Sequence, residues 1–508
     1  MPFHRALARP LLLVLLALAA GAGALHAGVG PGGKAPSGAW LGAAPAAAQP
    51  PAAGMSSAAR ALIGDWNGML MVGGQRIRII FHFLDRPGDK LVVVMDSPDQ
   101  GMQGLPADSV FLKRDGLKLV LNRIGGSYRG VPTADGTRIK GTWTQGGFSM
   151  PLDLGRGQAP ERRRFQDPVK PYPYDEEEVV VRNRAAAVKL AGTLTKPRGA
   201  GPFPAVVLVT GSGPQNRDEE LLGHRPFLVL ADRLTRAGFE VLRCDDRGTA
   251  KSTGNYAAAT TADFATDVRA EVAYLRSRPE VDPAHVGLIG HSEGGLIAPL
   301  LAAQDKTIDF IVLLAGPGVP GDSLLTLQGA ALMKAAGQRD SLAIWNRRLQ
   351  RKLFAVVKAA KDTVGLRKRL RQTILRSLNE LPVSHRGQIT PAFLEQQVEM
   401  VSSPWFRWFL TYDPRPALRR TTCPVLAVAG GNDLQVPPKE NLPAIAAALR
   451  AGGNRDFKTL ELPGLDHLLQ TSATGLPADY GTIEETMAPA ALDTITAWLR
   501  ARVGKSGR

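Results

Sequence analysis

A serine stands in Gly290-His291-Ser292-Glu293-Gly294, behind the short apolar run Val286-Gly287-Leu288-Ile289 and ahead of Leu296 to Ala303. A buried-type strand feeding a helix through so sharp a turn strains the serine backbone and holds its hydroxyl up into solvent, and side chains at Gly290 and Gly294 would collide there. Such a hydroxyl attacks a carbonyl carbon once a base takes its proton. The Glu293 amide, at the helix start, is expected to donate to the oxyanion that develops.

A serine hydroxyl is a poor nucleophile at neutral pH, so a histidine base and an orienting acid are required. Eight histidines are present. His4 and His26 fall in a leader, His82 in a β-rich segment, His385 in a long insertion and His285 at the far end of the serine's strand. His291 is expected to face away from the serine's partner, and His224, in the loop region after the first central strand, is the rival candidate. His467, in Leu462-Pro463-Gly464-Leu465-Asp466-His467 just past the last predicted strand, is the assigned base. The acid should close the preceding strand, and Gly430-Gly431-Asn432-Asp433 supplies Asp433. Asp466 competes, but it adjoins His467 and is expected to point elsewhere. A second oxyanion donor should come from Thr210-Gly211-Ser212-Gly213-Pro214, where the Ser212 amide is assigned and a plain strand-ending turn is the alternative.

These groups need a rigid sheet whose strands end at one side. Apolar runs Ala205–Thr210, Phe239–Cys244, Val286–Gly290, Phe310–Ala315, Val425–Ala429 and Phe457–Leu462 alternate with helical spacing, after a strand pair at Glu177–Arg182 and Ala187–Thr195. Alternation of this kind predicts a mostly parallel sheet with helices on both faces. Residues 317–420 break the rhythm with helices alone and read as a cap over the site. Leu342, Trp345, Leu349, Leu353 and Val356 form its apolar stripe. Arg347, Arg348, Arg351, Lys352, Arg367, Lys368, Arg369 and Arg371 are expected on its outer face, as a solvated surface or a weak contact for anionic lipid. The cap aromatics Trp405, Phe406, Trp408, Phe409 and Tyr412 either pack it down or line an acyl pocket.

The chain has 508 residues, enough for two or three domains, with 44% apolar and 21% charged residues. Arg5 and Arg9 before the apolar run Leu11–Ala20 read as a secretory signal peptide over 1–27, with an uncleaved anchor as the alternative. An Ala/Pro/Gly-rich tether over 28–57 precedes a β-rich accessory domain over 58–156, a linker over 157–175 and the catalytic domain over 176–503. In the β-rich domain about eight short alternating strands, with turns at Asp115-Gly116 and Asp135-Gly136, predict a small antiparallel barrel or sandwich. Trp66, Tyr128 and Trp143 read as its core, and no polar cluster there suggests chemistry. Net charge is +16, but much of it sits in Arg347–Arg376, so no nucleic-acid partner is expected. Cys244 and Cys423, the two cysteines, are assigned to opposite ends of the sheet and read as small buried residues. No metal-ligand spacing appears, and no cofactor is expected. Asp245-Asp246-Arg247-Gly248-Thr249-Ala250-Lys251-Ser252 lacks the glycine a phosphate loop needs before its lysine; it reads as a structural turn at the sheet edge in which Arg247 pairs a carboxylate.

Residues from about Glu177 to Arg500 resemble a family of bacterial α/β-hydrolase esterases grouped with serine-aminopeptidase-like hydrolases. The resemblance rests on Gly211-Ser212-Gly213-Pro214 with Arg217-Asp218-Glu219, Asp246-Arg247-Gly248, Gly290-His291-Ser292-Glu293-Gly294-Gly295, Gly431-Asn432-Asp433 with Val436-Pro437, and His467. The chain order Ser292, Asp433, His467 is that of the α/β-hydrolase fold. The segment with Ser97-Pro98-Asp99-Gln100-Gly101 and Gly141-Thr142-Trp143-Thr144-Gln145-Gly146 is similar to a domain preceding some exported members. The resemblance implies hydrolysis of small carboxylic esters by an exported serine hydrolase. Thr210 departs from the pattern, standing where many members have histidine. Two other readings are a peptidase with the same triad and a ligand-binding module with a vestigial hydrolase domain.

Overall fold

The structure, a computed structural model, describes residues 56–72, 75–86, 90–97, 102–113, 116–145, 148–157, 164–381 and 391–503. The expected signal peptide, nearly all of the tether, Pro98 to Gly101, Asp115, Gly146, His385 and residues 158–163 of the expected linker lie outside the described residues. The described residues form two compact units, 56–157 and 164–503.

In the first unit, helix α1 (Ser57–Arg60) leads into β1 Gly64–Val72, β2 Gln75–Arg86, β3 Lys90–Ser97, β4 Met102–Pro106, β5 Ser109–Lys113, β6 Gly116–Leu121, β7 Gly126–Pro132, β8 Arg138–Gln145, β9 Phe148–Pro151 and β10 Leu154–Arg156. About eight strands were expected. The short β9 and β10, which return the chain beside β8 and β1, bring the sheet to ten. Its path runs β4-β3-β2-β1-β10-β8-β7-β6-β5. Only Ala107 and Asp108 join the two end strands, so the sheet has to curl into a half-barrel. Period-two alternation sends Trp66, Phe81, Tyr128 and Trp143 inward, each 1% exposed or less. One expectation fails here: a polar cluster exists. His82 Nδ1 lies 2.7 Å from Asp65 and Nε2 lies 3.0 Å from Asp96. The Asp96 hydrogen bond, helped by Asp65, outweighs partial burial and raises the imidazole to about 9.

The second unit is built on β11 Asp175–Asn183, β12 Val188–Lys196, β13 Phe203–Val209, β14 Glu240–Cys244, β15 Val281–His291, β16 Ile311–Leu314, β17 Val425–Gly430 and β18 Phe457–Leu462. Their order is β11-β12-β14-β13-β15-β16-β17-β18. β12 is antiparallel to both its neighbours, and from β14 onward every pairing is parallel. On β13, Val206 and Leu208 face a core shared with α2 (Pro226–Arg236). Ala205, Val207 and Val209 face the opposite core with α3 (Thr261–Arg276) and α4 (Gly294–Ala302). This is why the central strands read as continuous apolar runs: both faces are covered. Residues 164–174, expected as linker, belong to this unit instead, since the buried Arg164 guanidinium donates to the carbonyls of Leu222, Gly481 and Ile483.

Between β16 and β17 stand α5 Gly321–Ala335, α6 Asp340–Lys358, α7 Thr363–Leu378, α8 Pro391–Ser402, α9 Pro404–Thr411 and α10 Arg415–Arg420. Their apolar cluster includes Leu296 of α4 and Val436, so the insertion packs onto the helix that follows Ser292. On α6 the buried stripe ends at Val357, 3% exposed, with Val356 only partly buried. Helical spacing from Leu349 through Leu353 carries the stripe one residue past the expected position. The expected basic residues lie outward, all exposed except the half-buried Arg371. Helices α11 (Pro438–Ala451) and α12 (Pro489–Val503) complete the two faces. Both cysteines are free, Cys244 buried and Cys423 only partly so. Among the described residues no helix is long and apolar enough to cross a membrane.

Candidate active site

β15 ends at His291 and α4 begins at Gly294, so Ser292 and Glu293 make the whole turn. Ser292 has φ 51, a left-handed backbone that costs a non-glycine residue roughly 1–3 kcal/mol. Neighbouring glycines permit it. A Cβ at Gly290 would lie 2.1 Å from the Gly294 carbonyl oxygen, and one at Gly294 would lie 2.2 Å from that of Val209. The Ser292 amide donates to the Leu314 carbonyl at 2.8 Å, fixing the turn to β16. The hydroxyl was expected to stand in solvent, yet Ser292 is 7% exposed because the cap roofs it.

Asp433 follows β17 and His467 follows β18, at the same end of the sheet as Ser292. His467 Nδ1 lies 2.9 Å from Asp433 Oδ2. The other Asp433 oxygen accepts the Gln435 and Val436 amides, each at 2.8 Å, so the carboxylate is locked toward the imidazole. Asp466 does point elsewhere: its Oδ1 accepts the Leu468 and Gln470 amides. His224, the rival base, is fully buried between the Thr486 hydroxyl and the Tyr480 carbonyl.

His291 does not face away as expected. Its Nε2 donates to the His467 carbonyl at 3.0 Å, its Nδ1 lies 2.9 Å from Glu219 Oε1, and its ring centroid is 4.9 Å from that of His467. Burial alone would lower this imidazole, but the Glu219 carboxylate and the His467 carbonyl together raise it. With an acceptor beside each nitrogen the charged ring is favoured, and the two contacts fasten the loop of His467 to the turn of Ser292.

The loop after β13 shares Glu219 with this bridge. Gly211 donates to Glu219 Oε1 at 2.7 Å and Gly213 to the Tyr256 hydroxyl at 2.9 Å. Between them, the Ser212 amide has no hydrogen bond among the described residues, and neither has that of Glu293. Ser212, Ser292 and Glu293 line one cavity of about 20 Å³. Two unengaged amides beside a serine form a site able to hold an oxyanion. Thr210, the departure from the family pattern, donates to Asp246 Oδ1 at 2.7 Å. Arg217 forks onto Asp245 with two 3.0 Å hydrogen bonds, which holds the loop's far end. Arg247 pairs Asp267 at 2.6 Å as expected, although the turn it sits in follows the interior strand β14 rather than an edge.

The cap closes the cavity with Leu324, Leu325, Phe409 and Trp405. Packing was the favoured reading of the cap aromatics, and it holds for Phe406, which is fully buried against Phe354. Trp405 and Phe409, stacked at 5.1 Å, line the cavity itself. The Trp405 indole donates to Glu293 Oε1 at 2.8 Å, and the Thr261 hydroxyl donates to the same oxygen at 2.5 Å. Burial pushes the Glu293 carboxyl up to about 7 against these two donors, and its Oε2 has no partner among the described residues. Sequence reasoning assigned no role to Glu219 or His291 and left Trp405 between packing the cap and lining an acyl pocket. Glu219 carried a signal only as part of a motif. Among the described residues no group of His, Cys, Asp and Glu is arranged to hold a metal ion.

A family model described as Serine aminopeptidase, S33 matches residues 225–471. Esterase EstD of Thermotoga maritima is 27% identical over 337 residues, spanning 66% of this chain and 69% of that protein. Among solved structures, the Pyrococcus furiosus esterase Pf2001 is 16% identical with a TM-score of 0.40, covering 65% of this chain and 91% of that one. The alpha/beta hydrolase GrgF from a Penicillium species is 15% identical with a TM-score of 0.41, covering 65% of this chain and 99% of that one.

Proposed function

We propose that the chain, similar over residues 225–471 to the serine aminopeptidase S33 family and over 337 residues to an esterase, hydrolyses carboxylic esters through Ser292, His467 and Asp433. The observation that carries this reading is the Asp433–His467 pair at 2.9 Å, in a loop tied to the serine's turn by His291, the residue beside Ser292. His467 takes the Ser292 proton as the oxygen attacks the ester carbonyl carbon. The tetrahedral oxyanion rests on the Ser212 and Glu293 amides, and loss of one such donor typically costs ~3 kcal/mol of barrier. The intermediate then collapses, the C–O bond to the alcohol breaks, and His467 returns the proton to the departing alkoxide. Water, deprotonated by His467, cleaves the acyl-enzyme and restores the serine.

The cavity's size bears on the acyl group. The cavity, about 20 Å³ and walled by Leu324, Leu325, Trp405, Phe409 and Val436, is small and mostly apolar, which favours short acyl chains over long ones. The reading includes export, on the strength of the leader-like sequence of residues 1–27.

A second reading, peptide hydrolysis with Glu293 holding a substrate ammonium, has the unpartnered Glu293 Oε2 in its favour. Burial works against it. A carboxyl pushed up to about 7 is half neutral at neutral pH, and its other oxygen already accepts Trp405 and Thr261. The experiment sets p-nitrophenyl acetate, butyrate and octanoate beside aminoacyl p-nitroanilides. Turnover is expected on the esters, highest for acetate; turnover confined to the anilides would replace the esterase reading with the peptidase one.

A further inference from the structure

The β unit carries a second feature, independent of the serine site. Over β5 to β8 its outer face holds an open groove of about 740 Å³. Strand register builds the walls. Phe111, Lys118, Arg129 and Thr142 lie side by side across four strands as one rung. Two residues further along the strands, Lys113 pairs with Gly116 and Val131 with Lys140 to make the other. Between the rungs Leu117, Gly130 and Gly141 all face the core, where the two glycines make room for the Tyr128 ring, so the floor of the outer face is backbone. The rungs stand roughly 7 Å apart, and the channel crosses about 14 Å of sheet.

The charge pattern is costly to the fold. Lys118 sits directly opposite Arg129, and like charges in that position destabilise a strand pair. Among the described residues, Lys113, Lys118, Arg129 and Lys140 form no ion pair. Among the described residues Asp153 is the one acidic residue lining the groove, and its Oδ1 accepts the Gly141 amide at 3.0 Å. Four cations around a bare channel are complementary to an anion that is itself a chain. Single-stranded nucleic acid binds by stacking successive bases on several aromatic rings, whereas Phe111, 49% exposed with the Lys118 ammonium 5.9 Å from its ring centre, is the one aromatic lining the groove among the described residues. A single exposed ring among hydrogen-bond donors suits a sugar face.

We propose that this groove binds a linear acidic polysaccharide, with sugar carboxylates on Lys113, Lys118, Arg129 and Lys140 and a sugar ring on Phe111. The test uses the full chain and polygalacturonate as probe, with neutral dextran and single-stranded DNA beside it, in titration calorimetry at low salt. Since the whole chain is cationic, a charge-matched control is essential. Lys118→Glu with Arg129→Glu is expected to weaken polygalacturonate binding at least 10-fold. Arg347→Glu with Arg348→Glu, an equal charge change on the cap, should alter it less than 2-fold, and Phe111→Ala should weaken it 3- to 10-fold. The neutral pair Lys118→Thr with Arg129→Thr removes a repulsion, so it should melt no lower than wild type and still lose binding. Equal losses in the groove and cap variants, dextran binding as tight as polygalacturonate, tighter binding of DNA, or full binding by the threonine pair would each overturn the assignment.

Discussion

Trp405, near the start of cap helix α9, donates its indole N–H to Oε1 of Glu293 across 2.8 Å, so the roof of the cavity is hydrogen-bonded to the residue that follows Ser292. The same ring stacks on Phe409 and lines the space beside the serine. Cap position and acyl-cavity size therefore depend on one side chain. Replacing Trp405 with alanine should move the preferred p-nitrophenyl ester from acetate toward butyrate or hexanoate, while Trp405→Phe, which keeps the stack, should leave the preference at acetate. An unchanged chain-length profile in the alanine variant would remove Trp405 from the acyl wall.

Glu293 makes a pH prediction. Its folded-state carboxyl, near 7, lies above the ordinary 4.5 because burial penalises the charge. The folded protein thus holds a proton that the unfolded chain releases, and this contribution to stability is complete below about 4.5 and lost as pH rises through about 7. Glutamine at this position resembles the protonated acid. The Tm of Glu293→Gln minus that of wild type should be near zero at pH 4.5 and rise by several degrees by pH 8.5, an effect on the order of 3 kcal/mol at full ionisation. A difference that stays flat across that range would show that the carboxyl is not the buried acid described.

Glu219 touches neither Ser292 nor the oxyanion position, yet it anchors both Gly211 and His291. It is a positioning residue. Glu219→Gln keeps an acceptor for Gly211 but removes the negative charge that raises the His291 imidazole. A fall in kcat of about 10-fold with KM within 2-fold is expected, since small misplacement of a catalytic group slows chemistry more than binding. The alkaline limb of the rate profile should also shift to lower pH, because the raised His291 loses its support. A change in KM alone, with kcat intact, would assign Glu219 to substrate binding instead.

The turn after β14 offers a stability test. Arg247 and Asp267 form a buried pair, 8% and 5% exposed, and Asn183 adds a 2.7 Å hydrogen bond to the carboxylate. Removing one partner leaves the other charge buried and unpaired, which typically costs 3–5 kcal/mol. Arg247→Met should lower unfolding stability by roughly that amount in urea, and Arg247→Met with Asp267→Leu should recover part of it. Indifference to the single change would mean that the pair carries little of the fold.

What the sequence revealed divides along physical lines. Strands covered on both faces, such as β13 and β15, are visible because apolar runs and glycine-bounded ends are local signals. So were Ser292, Asp433 and His467 as candidates, since each sits at a strand end within a recognisable run. The Glu219–His291–His467 bridge was not legible, because it joins residues 72 and 176 positions apart and depends on loop conformation. Glu219 itself has φ 51, which nothing in its neighbours announces. The split among the cap aromatics was hidden for a related reason: helical spacing places Trp405 and Phe409 on one face of α9, but only the fold decides that this face looks at Ser292. In the β unit, alternation gave the barrel-like class and its inward aromatics, whereas the Asp65–His82–Asp96 cluster required the register of three strands.

In the proposed reaction Ser292 forms the covalent acyl-enzyme. A fluorophosphonate probe followed by peptide mapping tests it most directly, because the reagent phosphonylates an activated serine and stays on it. One adduct is expected, on the peptide carrying Ser292, formed in step with loss of p-nitrophenyl acetate hydrolysis and absent from a folded Ser292→Ala protein that no longer turns over the ester. An adduct on another residue, or ester turnover persisting in Ser292→Ala at the wild-type rate, would contradict it.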